Sequence, residues 1–308
     1  MNNQKIAVVV NPASANGMTA RRWPEIAALL EQAGISFNEY LTRGPGDATE
    51  HTRRMLKESY DLIISVGGDG TANEVINGFF TPDGPVSKEA AVAFISMGTG
   101  SDLIKTLNIP KEPGEAVRHL ANSSRRAIDV GRVSFTGHDG SAQTRYFVNI
   151  AGLGLDGDTV ARVNRTSKAL GGFVSFLWGT VISLLLYRNR RMAVTVDGEL
   201  VCDAPVTVVV IGNGRYFGGG MCIAPHATMD DARFDIVLLN NMSKPALLAN
   251  LPKVYKGTHL SHPKVTCRHG QSVSITSPEI ALLDLDGEQP GRAPVEIELL
   301  PGSLLIQG

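Results

Sequence analysis

The first part of the chain alternates short apolar runs with segments of helical period. The runs are KIAVVV, SFNEYLT, DLIISV and AVAFIS. In the segments between them, apolar residues recur with the period of a helix. This spacing predicts helices over residues 19–33, 48–58 and 72–80, and a further helix from about residue 102. Strands separated by helices predict a parallel sheet with both faces covered, in which a ligand binds at the carboxyl ends of the strands.

Beyond about residue 128 the pattern changes to strand after strand, with turn residues between. RYFVNIAG, MAVTVDG, APVTVVVIGNG, RFDIVLLN, SVSITS, IALLDLDG and VEIELL follow one another in this way. Several strands without intervening helices predict an antiparallel β-sandwich. We therefore expect an α/β domain over residues 1–128 and a β-rich domain over residues 129–294.

One stretch of the second domain departs from this pattern. Residues 169–187 form an uncharged run, followed at once by RNRR. Its glycines and its place inside a β-rich domain argue against a membrane span. A buried helix and a helix resting on a bilayer surface both fit the run, since Trp178, Tyr187 and the arginines suit a lipid interface.

Composition and charge narrow the function. The 308 residues are 43% hydrophobic and 19% charged, with a formal net charge of -1. That balance predicts no nucleic-acid partner. The three cysteines are far apart and form no CxxC pair, which argues against a disulfide framework or a zinc ribbon. The N-terminus does not resemble a signal peptide, so the sequence predicts a cytoplasmic protein.

The stretch GGDGT, between the strand DLIISV and the next helix, carries the first candidate chemistry. Its glycines allow backbone N–H groups to face an anion at the start of a helix, which suits a phosphate. The Asp69 carboxylate would repel a phosphate unless a divalent cation stood between them. The loop therefore suggests a nucleotide with Mg²⁺, although an aspartate that only caps the helix is the alternative.

Two further acids follow neighbouring strands. MGTGSDL repeats the glycine and acid pattern and places Asp102 at a helix start, and Asp129 follows the short strand in RAIDVG. Three carboxylates in one crevice can share a hydrated Mg²⁺. Each of them alone could equally be a cap.

Other motifs give weaker signals. GLGLDG matches GxGxxG but has no acid about twenty residues downstream, and neither a Walker A sequence nor a GxSxG elbow occurs. HLSHPKVTCRH resembles a metal site, but it has no second pair of spaced ligands. A turn leading into a strand is the favoured interpretation of that segment.

Two acidic turns lie in the second domain. LLDLDGEQPG places Asp284, Asp286 and Glu288 at alternate positions. An acid there can accept the proton of an alcohol, but a β-hairpin turn explains the spacing better. APHATMDDARFD is compatible with a cation at Asp231, or with no ligand at all.

Taken together, these motifs resemble the diacylglycerol kinase catalytic family, in particular the small soluble bacterial lipid kinases of the YegS and DgkB type. The discriminating pieces are TANEVINGF after GGDG, the GGGMCIAP stretch and the late DGE. GGDG by itself is shared with NAD kinases. The resemblance implies an NAD-kinase-like α/β nucleotide domain and a C-terminal β-sandwich. It also implies an active site in the cleft between them, and a tail over residues 295–308 that returns to the first domain.

The resemblance also assigns residues by position. The nucleotide contacts are Asn11, Thr42, Gly67, Gly68, Asp69, Gly70, Thr71, Ala72, Asn73 and Thr99. Asp69, Asp102 and Asp129 match a carboxylate and water network around the catalytic Mg²⁺, and Glu288 matches the general base. Thr228, Asp231 and Arg233 match a structural cation site for Mg²⁺ or Ca²⁺, with carbonyl ligands at 228 and 233.

Two positions depart from the family pattern. Ala232 stands where glycine is favoured after the aspartate, which puts the structural cation site in doubt. Ser101 stands where asparagine is frequent, and we expect it to cap the following helix.

The sequence thus predicts an ATP-dependent kinase of diacylglycerol, phosphatidylglycerol or a related lipid, with Asp69 and Glu288 as catalytic residues. Such an enzyme would be cytoplasmic and transiently peripheral at the inner face of the membrane, where it meets its lipid substrate. A homodimer is left open. The alternatives are an NAD kinase or other soluble small-molecule kinase, and a non-catalytic regulator that responds to nucleotide or lipid.

Overall fold

The structure is a computed structural model and describes residues 4–166 and 186–308. The chain divides into two compact units. One comprises Met1–Val130 together with Gly302–Gly308, and the other comprises Gly131–Pro301. The segment that returns to the first unit begins at Gly302 rather than at residue 295.

The first unit alternates strands and helices. Its elements are β1 (Ile6–Val10), α1 (Met18–Gln32), β2 (Asn38–Leu41), α2 (Asp47–Lys57), β3 (Leu62–Gly67), α3 (Asp69–Gly78), the short pair β4 (Phe80–Thr81) and β5 (Gly84–Pro85), β6 (Ala91–Ser96), α4 (Asp102–Leu107) and α5 (Pro113–Asn122).

Four strands of this unit form a parallel sheet in the order β2, β1, β3, β6. Strands β1, β3 and β6 are buried along their whole length, which is why their sequences are almost continuously apolar. Residues Leu305 and Ile306 of the returning tail pair in parallel with Ala91 and Val92 of β6. The predicted parallel sheet is confirmed.

Three details of the first unit differ from the predictions. Helix α3 begins at Asp69, not at residue 72, so half of the glycine-rich stretch is already helical. Helix α5 was not predicted. Asp129 lies inside the long strand β7 (Arg125–Gly137) rather than after a short strand.

The second unit is rich in strands. Besides the later part of β7 it contains β8 (Ala142–Phe147), β9 (Ile150–Gly154), α6 (Leu155–Thr166), β10 (Arg190–Val196), β11 (Glu199–Gly212), β12 (Tyr216–Phe217), β13 (Met221–Cys222), β14 (Phe234–Asn240), α7 (Lys244–Tyr255), β15 (Val265–Gly270), β16 (Ser272–Thr276), β17 (Leu282–Leu285) and most of β18 (Glu288–Gln307).

These strands pair antiparallel, as the sequence predicted. The order β15, β14, β11, β10, β16, β18 forms one run, and β9 joins β11 to β17, which pairs with β18. One buried cluster includes Phe147, Phe234, Ile236 and Ile275. A second cluster, around Val210, Val237 and Met242, lies beneath α7. This unit therefore has two apolar layers.

Helices α6 and α7 interrupt the β-rich half, against the prediction of strands alone. The GLGLDG motif spans the end of β9 and the start of α6. Because β9 pairs antiparallel with both β11 and β17, the motif does not belong to a Rossmann βαβ unit.

The uncharged run at 169–187 was interpreted as a core helix or a membrane-surface helix. Residues 167–185 lie outside the described part of the chain, so neither alternative is decided. In the part that is described, no helix combines the length and the apolar character needed to cross a bilayer.

Candidate active site

Asp69 connects the turns that follow two neighbouring strands. It is the first residue of α3, and its Oδ2 accepts a hydrogen bond from the backbone N–H of Ser101, 3.0 Å away. Strands β3 and β6 pair in parallel with Gly67 opposite Ser96, so their two following turns meet at one edge of the sheet. The convergence predicted for these glycine and acid turns is therefore seen.

Ser101 does not act as the predicted helix cap. It occupies the N-cap position of α4 with φ of 53°, and its side chain makes no capping hydrogen bond. Its hydroxyl donates instead to the carbonyl of Gly98 at 2.9 Å. Asparagine tolerates this left-handed conformation better than most residues, which accounts for its frequency at this position in the family.

The ends of β1 and β2 lie at the same edge of the sheet. Asn11 Nδ2 donates to the Thr71 hydroxyl at 3.0 Å, and this bond links the end of β1 to the first turn of α3. The backbone N–H of Thr42 donates to the carbonyl of Val10 at 2.8 Å. Asn73 is buried in α3, whereas Thr99 is exposed in the loop after β6. The ten predicted nucleotide contacts thus lie at the carboxyl ends of parallel strands or after them, with Gly67 as the last residue of β3.

Glycines at this edge allow an unusually close backbone approach. A Cβ placed on Gly98 would lie 3.0 Å from the Cα of Gly68, and one on Gly67 would lie 2.5 Å from the Thr71 hydroxyl oxygen. A side chain at Gly98 would push the two turns apart, and one at Gly67 would displace the Thr71 side chain of its own turn. The N–H groups at the start of α3 and this narrow cradle fit the phosphates of a nucleotide.

The three candidate magnesium ligands have different partners. Asp102 begins α4 and forms an ion pair with Lys105 at 3.3 Å. Asp129 accepts a hydrogen bond from the backbone N–H of Gly302 at 2.7 Å, and Gly302 is the first residue of the returning tail. Within the described residues, these three carboxylates are not close enough for one ion to touch all of them directly. Oxygen donors suit Mg²⁺, which keeps several of its own waters.

Glu288 follows a two-residue hairpin turn. Leu285 pairs with Glu288 across the loop of Asp286 and Gly287, whose φ angles are 51° and 88°. The hairpin interpretation of this segment is therefore right in geometry. Glu288 is exposed and borders an open groove with His138 and Arg145.

Asp286 fixes this turn in place. Its carboxylate accepts hydrogen bonds from three successive backbone N–H groups, those of Val148, Asn149 and Ile150, at 3.3, 3.1 and 2.8 Å. Asp284 Oδ1 adds a hydrogen bond from the N–H of Gly287 at 2.9 Å. Two acidic side chains therefore hold the backbone that carries Glu288.

The sequence Asp-Gly-Glu occurs a second time, at residues 197–199. There too it forms a two-residue hairpin, between β10 and β11, with Val196 paired to Glu199. Asp197 accepts from the N–H groups of Gln271 and Ser272. This copy lies outside the predicted site and provides a natural comparison for Glu288.

A pair of buried carboxyl groups was missed by the sequence analysis. Asp156, in α6, and Asp284, in β17, are hydrogen bonded to each other and are 8% and 3% exposed. Burial raises the pKa of Asp156 to about 6. Burial and the neighbouring Asp156 raise the pKa of Asp284 well above its usual range, so the pair retains one shared proton. A Cβ on Gly152 would lie 2.0 Å from Asp156 Oδ2, which explains the glycine there.

Asp156 lies at the wall of an apolar pocket within the second unit. The pocket has a volume of about 80 Å³ and lies between β11, β14 and α7. Its lining includes Val208, Phe217, Leu239, Met242, Leu247 and Val254. Such a pocket, with few polar groups, suits an aliphatic chain.

The predicted structural cation site at Asp231 keeps the backbone conformation expected for it. Asp231 Oδ2 accepts from Arg233 Nε at 2.9 Å, whereas Asp231 Oδ1 is buried and has no hydrogen-bond partner among the described residues. Ala232 adopts φ of 58°, the left-handed conformation that the family glycine would favour. The departure at Ala232 has therefore not changed the shape of the backbone. Thr228 lies in the same loop, and cation binding here stays a prediction.

Two models of known protein families match this chain, one over each half. The family model described as diacylglycerol kinase catalytic domain matches residues 5–133. The model described as YegS C-terminal NAD kinase beta sandwich-like domain matches residues 149–308, more than half of the chain.

Individual relatives are similar over nearly their full length. A diacylglycerol kinase of Staphylococcus carnosus is 28% identical over 94% of this chain and 90% of its own, and that of Bacillus subtilis is 26% identical over 95% and 92%. A candidate diacylglycerol kinase from Bacillus anthracis has a solved structure with a TM-score of 0.79 and 25% identity, covering 99% of this chain and 97% of its own. Yeast NADH kinase shares the fold alone, with a TM-score of 0.51 and 11% identity over 98% of this chain and 82% of its own.

Proposed function

Because this chain belongs to the diacylglycerol kinase family of the YegS and DgkB type, and is thus a lipid kinase, we propose that it transfers the γ-phosphoryl group of ATP to a glycerolipid hydroxyl. The proposed acceptors are diacylglycerol, phosphatidylglycerol or a related lipid. The apolar pocket of the second unit, with Asp156 at its wall, is the observation that carries this proposal, since a dinucleotide acceptor would gain little from such a lining.

An acyl chain in the pocket accounts for its composition. Each methylene removed from water contributes about 0.8 kcal/mol, so several methylenes in contact with Leu239, Leu247 and Val254 favour a long-chain acceptor. Asp156 then faces the polar part of the lipid, with the buried Asp284 beside it. Their shared proton leaves one net negative charge, which suits a hydroxyl donor rather than a phosphate.

Glu288 is the proposed general base. The bonds to Asp286 and Asp284 fix its backbone, while its exposed side chain can reach an acceptor hydroxyl and take its proton as the oxygen attacks. The leaving ADP needs no proton from the protein. Positioning and charge screening therefore supply most of the catalysis.

In the first unit, the glycine cradle and the start of α3 would hold the nucleotide phosphates, with Asn11, Thr42 and Thr99 at its borders. Asp69, Asp102 and Asp129 would hold Mg²⁺, largely through water. When bound, ATP with Mg²⁺ supplies the phosphoryl group and screens its charge. The site between domains implied by the family resemblance stays a prediction, as does transient binding to a membrane surface.

The test is an acceptor panel. Purified protein is incubated with labelled ATP, Mg²⁺ and dispersed diacylglycerol, phosphatidylglycerol, sphingosine or NAD, and the products are separated by thin-layer chromatography. We expect label in the extracted lipid and none in NADP. Label in NADP with none in any lipid would support an NAD kinase. Nucleotide binding without transfer to any acceptor would favour a regulator.

A further inference from the structure

The HLSHPKVTCRH segment contributes His259, His262 and Val265 to the lining of the apolar pocket, but Cys267 and His269 have no role in the proposed reaction. In the structure it forms a short 3-10 turn over His259–Ser261 and then β15, which lies at the end of the sheet order. His259 is buried and bonded to the carbonyl of Ile223. Its Nε2 is therefore occupied, and the close group of possible ligand atoms lies in the later part of the segment.

Cys267 and His269 lie on one face of β15, because residues two apart in a strand point the same way. Asp235 of β14 is the direct antiparallel partner of His269. A carboxylate oxygen, the Cys267 sulfur and an imidazole nitrogen all lie within 4.8 Å of one another. His269 Nε2 is 3.4 Å from Asp235 Oδ1.

We propose that Asp235, Cys267 and His269 form a binding site for a zinc-class transition-metal ion. Oxygen, sulfur and nitrogen donors together are typical of zinc, whereas Mg²⁺ and Ca²⁺ take oxygen ligands. Metal–ligand distances of about 2.0–2.3 Å in a tetrahedron place ligand atoms about 3.5 Å apart. The His269 to Asp235 distance already meets this condition.

Bringing the three ligand atoms to metal-binding distance requires only a small adjustment, which falls on the His269 side chain. The His269 side chain is 48% exposed and can turn towards the other two donors, while Asp235, 3% exposed, is fixed by its strand. Two anions, the carboxylate and the thiolate, would neutralise a divalent ion, and the thiol proton is released to solvent on binding. A water molecule would complete the fourth position.

The site differs from the structural cation site predicted nearby. Asp231 is paired with Arg233 and offers only oxygen, and its predicted companions are carbonyl groups. Sulfur coordination therefore provides a signature that a Mg²⁺ or Ca²⁺ site cannot give.

Cobalt is the probe for the test. Full-length protein is first stripped of transition metals. It is then titrated with Co²⁺ in excess Mg²⁺ and without ATP, and its absorbance is followed in the near ultraviolet and visible range. We expect a thiolate-to-cobalt charge-transfer band that saturates at one equivalent and is removed by Zn²⁺. Cys267→Ser should lose the band, and His269→Gln should weaken binding at least about 10-fold.

Matched controls are Cys202→Ser and His262→Gln, which change the same residue types outside the cluster and should keep the band. Zinc should also protect Cys267, among the three free cysteines, from alkylation in a peptide map. No thiolate band in the wild type, or an unchanged band in Cys267→Ser, would overturn the proposal. His269→Gln changes an exposed side chain, so it tests the site even if Cys267→Ser fails to fold.

Discussion

Glu288 and Glu199 occupy the same position in two hairpins that share the sequence Asp-Gly-Glu, each paired across the Asp-Gly loop with the last residue of the preceding strand. Both glutamates are exposed, and only Glu288 borders the groove with His138 and Arg145. The chain therefore contains its own control for the proposed general base.

The first prediction follows from this comparison. Glu288→Gln keeps the side-chain shape but cannot accept a proton, so we expect kcat to fall about 10²–10⁴-fold with the lipid KM little changed. Glu199→Gln should leave both constants near the wild-type values. Steady-state assays on lipid micelles measure both, and equal losses in the two variants would contradict a role as base.

Asp69 provides the second prediction. Asp69→Asn keeps an oxygen that can accept the 3.0 Å bond from Ser101 N–H but removes the charge. If the charge holds Mg²⁺, turnover should fall at least about 100-fold at low Mg²⁺, with partial recovery as Mg²⁺ is raised. Thermal unfolding should show little change. Full activity at low Mg²⁺ would mean that Asp69 only supports the turn.

The glycine cradle gives the third prediction. Gly98→Ala places a methyl group 3.0 Å from Gly68 Cα, so the two turns must separate. We expect ATP affinity to fall about 10-fold or more, corresponding to roughly 1–3 kcal/mol of packing strain. Gly44→Ala meets open space and has no left-handed φ, and it should bind ATP normally. Fluorescent nucleotide titration separates the two outcomes.

The fourth prediction concerns the apolar pocket. Leu247→Trp fills part of its volume, so KM for a long-chain diacylglycerol should rise about 10-fold, while a short-chain acceptor is affected less. Ile280→Trp changes an exposed aliphatic residue outside the lining and serves as the control. An equal effect of Leu247→Trp on both chain lengths would argue that the acyl chain binds elsewhere.

The carboxyl pair gives a pH prediction. The pKa of Asp156 is raised from 3.8 to about 6, so its protonated form is favoured by folding. The resulting stability is complete below about pH 4, which is near the unfolded pKa, and is lost as pH rises through 6. Asp156→Asn removes this loss. Its melting temperature should therefore exceed that of the wild type at pH 8 by more than at pH 4.

That difference between pH values reports on the carboxyl pair, because the same variant also removes the neighbour that raises the pKa of Asp284. Burial lowers the pKa of His259, which acts in the opposite direction but is present in both proteins. If the difference in melting temperature between the wild type and the variant stays constant from pH 4 to pH 8, the carboxyl pair is not protonated as described.

Local patterns in the sequence predicted much of this architecture. Wholly apolar strands such as β3 and β6 reveal a buried parallel sheet, and GGDGT reveals where its ligand edge lies. The Asp156 and Asp284 pair was missed because the two residues come from a helix and a strand far apart in sequence, and no local pattern joins them. Helix α7 was missed because Pro252 lies in its interior and weakens its helical signal.

The returning tail has a consequence for how the polypeptide is made. Strand β6 gains its neighbour, and Asp129 gains the Gly302 hydrogen bond, only from residues at the C-terminal end. The nascent first unit must therefore keep one sheet edge uncovered until residues 302–306 have been synthesised. Loss of those residues would damage the unit that is synthesised first.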